Sequence, residues 1–145
     1  MDHSALYDEI RLHVGLAHDY SITPEGFLHY VMNAFQKYWP HKDLISLYVN
    51  KWTHFEWQDG DVHPVFTKEM DIQNGLLLLA DIERTVFCCR EEGMYHWVLP
   101  FYDNEVFAGG IIVSREAEMK ELEKEEVWLL EEIMAFINAK LPNYM

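Results

Sequence analysis

The chain has 145 residues, half of them hydrophobic and 14% aromatic, a content that excludes disorder. A chain of this length forms one domain, with a core that needs neither metal nor disulfide. Eleven basic against 25 acidic residues give a net charge of −14, which argues against sequence-independent nucleic-acid binding and docking on an anionic membrane.

The first predicted element is a helix over 5–18, where Leu6, Ile10, Val14 and Ala17 share a face and Ser4 is the expected cap. Thr23-Pro24 starts a second helix over 24–39, striped by Phe27, Val31, Ala34 and Tyr38 and stopped at Trp39-Pro40. Residues 44–52 read as a strand from their β-branched and aromatic content. A second strand over 53–57 ends at Gln58-Asp59-Gly60-Asp61, with a turn or bulge around Asn50 to Thr53. Between 62 and 92 the pattern is ambiguous, because a short run such as Leu76 to Leu79 suits a buried strand or a helical turn equally.

The clearest β signal follows. Strands over 95–101 and 106–114 flank Asp103-Asn104-Glu105 as a hairpin. Gly109-Gly110 inside the returning strand implies a close backbone approach or a bulge. A long helix is expected over 116–141, with Leu130, Ile133, Met134 and Ile137 in a wide apolar stripe, ended by Pro142. The order predicts an α+β fold, an antiparallel sheet with helices packed on it, in a single domain over 1–145. No apolar run reaches the roughly 18 residues of a membrane span. The start of the chain lacks the basic and apolar regions of a signal peptide. Cys88 and Cys89 are sequence neighbours, too close for an ordinary disulfide, so the expectation is a reduced, cytoplasmic protein.

The stretch 81–114 carries a resemblance. Asp81, Gly93, Leu99-Pro100-Phe101, the polar turn Asp103-Asn104-Glu105, Gly109-Gly110 and the helix after Ser114 resemble the second half of a GAF domain. The two helices before the first strand are similar to that family too. The resemblance implies a central antiparallel sheet with N-terminal helices and a long C-terminal helix. Gly93 would then end a short helix. It also implies a sensory or regulatory domain that binds a small molecule or a partner, and signals through its terminal helices. By the same resemblance the pocket would be lined by Tyr48, Trp52, Phe55, Trp57, Phe66, Phe87, Tyr95 and Trp97. The cofactor, if any, is left open.

The residues themselves allow a plainer reading of each feature. The aromatic side chains on the strands fit a ligand pocket or simple core packing. Some GAF-fold enzymes reduce free methionine-(R)-sulfoxide with cysteines, and Arg84 and Arg90 beside Cys88 and Cys89 would acidify a thiol. Buried structural thiols are the alternative, and no catalytic set is assigned. Among eight histidines, His54, His63 and His96 lie in the sheet region near Glu56 and Asp61. Mixed imidazole and carboxylate donors bind zinc or iron. The strand reading places only His54 and Glu56 on one face, so no metal site is assigned. The last helix carries Leu129, Ile133 and Phe136 beside its main stripe, wide enough to meet a second copy, and a homodimer is expected. The alternative is a module that has lost its ligand and only dimerises, its pocket filled by its own aromatic side chains.

Overall fold

A computed structural model describes residues 3–62, 68–71 and 75–144. The elements are α1 (Ser4–Leu16), α2 (Pro24–Tyr38), β1 (Leu44–Asn50), β2 (His54–Gly60), β3 (Glu69–Asp71), α3 (Gly75–Glu83), β4 (Phe87–Glu91), β5 (Met94–Asp103), β6 (Val106–Glu116) and α4 (Lys124–Lys140). A short 3-10 turn over Leu141–Asn143 closes the described chain. The sheet is antiparallel throughout, in the order β3-β2-β1-β6-β5-β4. This is the α+β architecture expected from the element order.

Strand alternation sorts the side chains onto two faces. One face meets α1, α2 and α4 in the larger core, where Phe27, Phe35, Leu99, Ile111, Leu130 and Ile137 are fully buried. The other face is covered by α3, where Leu77 and Ala80 pack on Tyr48, Phe55, Val98 and Ile112.

Several local expectations shift. His3, not Ser4, occupies the N-cap of α1, and its side chain makes no capping bond. Thr23 caps α2 as expected, accepting the Gly26 N–H at 3.0 Å with Pro24 in the first turn. β1 stops at Asn50 because Trp52 takes a left-handed backbone (φ 72°), its N–H held by Asn50 Oδ1 at 2.8 Å. β2 runs past the expected break to Gly60, with a register shift between Leu47 and Tyr48 that absorbs Gln58. Gly93 does not end a helix. With Glu92 it forms the tight β4–β5 turn, both at positive φ, the geometry a two-residue hairpin needs.

β6 extends to Glu116, and α4 begins only at Lys124, later than the sequence suggests. Arg115 explains the delay. Its guanidinium grips both oxygens of Asp43, at 2.8 and 2.7 Å, and donates to the Lys120 carbonyl at 2.9 Å. That contact holds the connection away from helical geometry until Glu123 and Glu126 form a reciprocal capping box. Among the described residues no helix is long and apolar enough to cross a membrane.

Candidate functional site

The face under α3 brings together four of the eight residues expected to line a pocket. Tyr48 and Phe55 are buried there, with Trp57 and Phe87 packed against them. Tyr95 and Trp97 lie on the opposite face, in the core with the terminal helices. Both sit in register with β6 residues that face that side: Tyr95 opposite Arg115, Trp97 opposite Val113. Trp52 is 73% exposed at the β1–β2 turn, apart from both groups. Phe66 and His63 lie outside the described residues.

The four consecutive leucines of α3 account for its position. Leu76 and Leu77 are buried, whereas Leu78 and Leu79 remain partly exposed. Gly110 lets the helix lie close to the sheet: a Cβ there would stand 3.2 Å from both Leu77 Cδ2 and Val98 Cγ1. At the other end Arg84 adopts φ 56°, ending the helix. The Tyr102 hydroxyl donates to the Asp81 carbonyl at 3.0 Å, and the Arg84 guanidinium covers the Tyr102 ring at 4.3 Å.

Polar groups are set into this apolar face. His96 is 3% exposed, and its Nδ1 lies 2.8 Å from Ser114 Oγ. Ser46 Oγ donates to the Asp61 carbonyl at 2.6 Å, and the Trp57 indole N–H donates to the same oxygen at 3.2 Å. Cys89 stands opposite His96 in the β4–β5 ladder. Burial pushes the Tyr48 phenol up to about 12, so it stays a neutral hydroxyl at physiological pH. These polar groups are engaged within the protein, on the same side of the sheet as the aromatic cluster. Sequence reasoning missed His96 and Ser114 as a pair. They are 18 residues apart and meet only through the β5–β6 register.

The thiols are not acidified. Cys88 is exposed, yet partial desolvation by its neighbours, then Glu121 and Cys89, pushes its thiol up to about 11; burial with Glu91 raises half-buried Cys89. The arginines expected to lower them are engaged with rings instead: Arg90 lies over Tyr95, and Arg84 over Tyr102. Adjacent strand residues also point to opposite faces, which separates the two sulfurs.

Two further groupings lie toward the rims of the sheet, and Ser114 lines the first of them as well. A cavity of about 770 Å³ opens between the α2–β1 and β6–α4 connections, bounded by His41, Asp43, Met94, Arg115, Met119 and Glu126. Glu126, buried at its rim, accepts the Tyr7 hydroxyl at 2.8 Å and the Glu123 N–H at 3.0 Å, and contacts His41. Burial alone would raise the Glu126 carboxyl; the Glu123 N–H, Tyr7 and His41 outweigh it and hold it below its ordinary range. At the sheet edge, His54 and Glu56 share a face as read from the strand pattern, and β3 adds Glu69 beside them.

A six-stranded antiparallel sheet, bearing a helical bundle on one face and a short crossing helix on the other, defines the class: an α+β fold with helices on both sides of the sheet. Comparison with solved structures places it more closely. A GAF domain of Acinetobacter phosphoenolpyruvate-protein phosphotransferase superposes with a TM-score of 0.72 at 13% identity, covering 99% of this chain and 95% of that one. Free methionine-R-sulfoxide reductase from Neisseria meningitidis, solved with its substrate, gives 0.75 at 10% identity, covering 99% and 93%. The corresponding reductase of Staphylococcus aureus gives 0.68 at 14%, covering 91% and 95%. No family pattern and no curated protein matches the sequence. The chain has the GAF fold.

Proposed function

We propose that the chain is a single GAF-like domain with a sensory or regulatory role, binding a small molecule on the face under α3. The observation that carries this reading is the aromatic set Tyr48, Phe55, Trp57 and Phe87 gathered under α3, with the buried His96–Ser114 pair on the same side of the sheet, beside β4. Buried polar groups in an apolar wall cost stability unless they are bonded, and such groups orient ligands in small-molecule sites. The ligand-facing set therefore centres on Tyr48, Phe55, Trp57 and Phe87, joined by His96 and Ser114. Trp52, Tyr95 and Trp97 stand apart from it. The two cysteines are free thiols, which fits a reducing, cytoplasmic setting.

Native and denaturing mass spectrometry of the purified chain tests the reading. A mass surplus in the native spectrum, lost in a His96→Ala, Ser114→Ala variant that still folds, is the expected result. A clean native spectrum, with no thermal shift from a small-molecule panel, would leave only the dimerisation module.

Homodimerisation through the terminal helices has its own support. Leu12 on α1 is 57% exposed and Trp128 on α4 is 52% exposed, each on an outward face. Sedimentation of Leu12→Glu and Trp128→Glu variants should give monomers where the parent chain is dimeric.

Reduction of free methionine-R-sulfoxide, as in the Neisseria protein, is the less supported alternative. Its nucleophile would be a thiolate, and both thiols here are raised. Turnover of that substrate that disappears in a Cys88→Ser, Cys89→Ser variant would reinstate it.

A further inference from the structure

The geometry points to a divalent-metal site at the outer edge of the sheet, formed by His54, Glu56 and Glu69 and suited to a first-row transition ion such as Zn²⁺. His54 and Glu56 are two residues apart on β2 and so project to one side. The β2–β3 register sets Glu69 opposite Glu56, and Asp71 opposite His54. One donor atom from each of His54, Glu56 and Glu69 lies within 4.8 Å of the other two. His54 Nε2 is 3.5 Å from Glu56 Oε1 and 3.7 Å from Glu69 Oε1. A tetrahedral ion with bonds of about 2.0–2.1 Å holds its donors about 3.4 Å apart. Both imidazole–carboxylate spacings are within a few tenths of an ångström of that value, and the two carboxylate oxygens, at most 4.8 Å apart, close the remainder by side-chain rotation.

Three features separate this group from an ordinary acidic patch. The first is the nitrogen donor: all-oxygen sets suit magnesium and calcium, whereas imidazole with carboxylates suits zinc and its neighbours. The second is an outer partner. Thr53 Oγ1 lies 2.9 Å from His54 Nδ1, which orients the ring so that Nε2 faces the two carboxylates. Metal-bound histidines are fixed in this manner by a polar group on their other nitrogen. The third is electrostatic. Like charges directly opposite each other on neighbouring strands are destabilising, and here Glu56 and Glu69 are paired across the ladder of a chain with net charge −14. A divalent ion turns that repulsion into shared attraction. The partial exposure of His54 and Glu56 leaves an open side for water as a further ligand.

The site would fasten β3, a strand of three residues that lies just before α3. Metal binding to the folded form alone would stabilise it by linkage, and would hold β3 against β2.

Calorimetric titration of the full chain with ZnCl₂, after chelator treatment and dialysis, is the test, with Co²⁺ absorption as a geometric readout. One equivalent should bind, with visible Co²⁺ bands of tetrahedral intensity. Glu56→Gln and Glu69→Gln keep side-chain shape and relieve the repulsion, so both variants should fold. Each should weaken Zn²⁺ binding by at least about tenfold, and His54→Ala should remove the Co²⁺ bands. The Zn²⁺-induced rise in unfolding temperature should vanish in the Glu56→Gln, Glu69→Gln double variant. His29 contacts Asp59 and Asn33 and serves as a control, so His29→Ala should bind as the parent does. Binding that persists unchanged in the double variant, or that is lost in His29→Ala, would overturn the assignment. So would no binding by the parent chain at about 1 mM Zn²⁺.

Discussion

Gly109 and Gly15 show how differently one residue type is used. Gly109 has φ 152°, and a Cβ built on it would lie 2.2 Å from the Tyr48 carbonyl oxygen and 3.0 Å from the Phe101 ring. Backbone cannot yield as a flexible side chain does, so Gly109→Ala should destabilise the fold by at least about 1–3 kcal/mol. Gly15, inside α1, has nothing within 4 Å of its would-be Cβ. Gly15→Ala should therefore stabilise by about 0.5–1 kcal/mol. Urea unfolding of both variants measures the two signs. A neutral Gly109→Ala would show that the sheet relaxes around this point. The close approach at Gly109 and Gly110 was legible from sequence, because paired glycines inside an apolar strand leave few other readings. The face of each aromatic was not. Tyr48 and Trp97 look alike in the sequence, and only the register of the four strands β2, β1, β6 and β5 decides that one meets α3 and the other meets the terminal helices.

At the scale of elements, the N-terminus of α4 is fixed by charge rather than by propensity. Glu126 receives the Glu123 N–H and the Tyr7 hydroxyl, and so ties α4 to α1. Its carboxyl is held below the ordinary value of 4.5. A depressed folded-state pKa adds stability above the unfolded-state value, and that stability is lost as pH falls through the lower, folded-state one. Stability should thus decline on acidification below pH 4.5, and Glu126→Gln should flatten part of that decline. At neutral pH the same variant should lose about 1–3 kcal/mol, since bonds to a charged acceptor become bonds to a neutral one. Denaturant midpoints measured from neutral to acidic pH give both numbers. A variant with the parent's acid profile would mean that another carboxylate governs it. The start of α4 was misplaced from sequence for the same reason. The acidic run before it has helical composition, and the grip of Arg115 on Asp43 spans 72 residues. The hairpin of β5 and β6, by contrast, was legible because its turn and its alternation are local. α3 was not, since four successive leucines carry no period.

For the whole molecule, the proposed sensory role requires a change to pass from one face of the sheet to the other. Among the described residues, Tyr102 touches both sides. Its hydroxyl bonds the Asp81 carbonyl of α3, and its backbone N–H donates to Asn138 Oδ1 of α4 at 2.8 Å. Asn138 returns a bond to the Pro100 carbonyl at 3.4 Å, so α4 reads the same strand segment twice. Coupling between two sites needs an element that both of them bias, and Tyr102 meets that requirement in these contacts. Leu77→Ala supplies a perturbation without any ligand. It empties space between α3 and Gly110 and should cost about 2–5 kcal/mol. If the Tyr102 connection carries strain across the sheet, amide exchange in α4 around Asn138 should quicken in Leu77→Ala by more than the global loss of stability accounts for. Tyr102→Phe removes only the bond to Asp81 and leaves the ring in place. Added to Leu77→Ala, it should return α4 exchange to the rate set by global stability. Excess exchange that persists in the double variant would place the coupling elsewhere in the sheet. Excess exchange absent from Leu77→Ala itself would mean that the two faces are mechanically independent, and that a ligand under α3 could report only by recruiting a partner to that face.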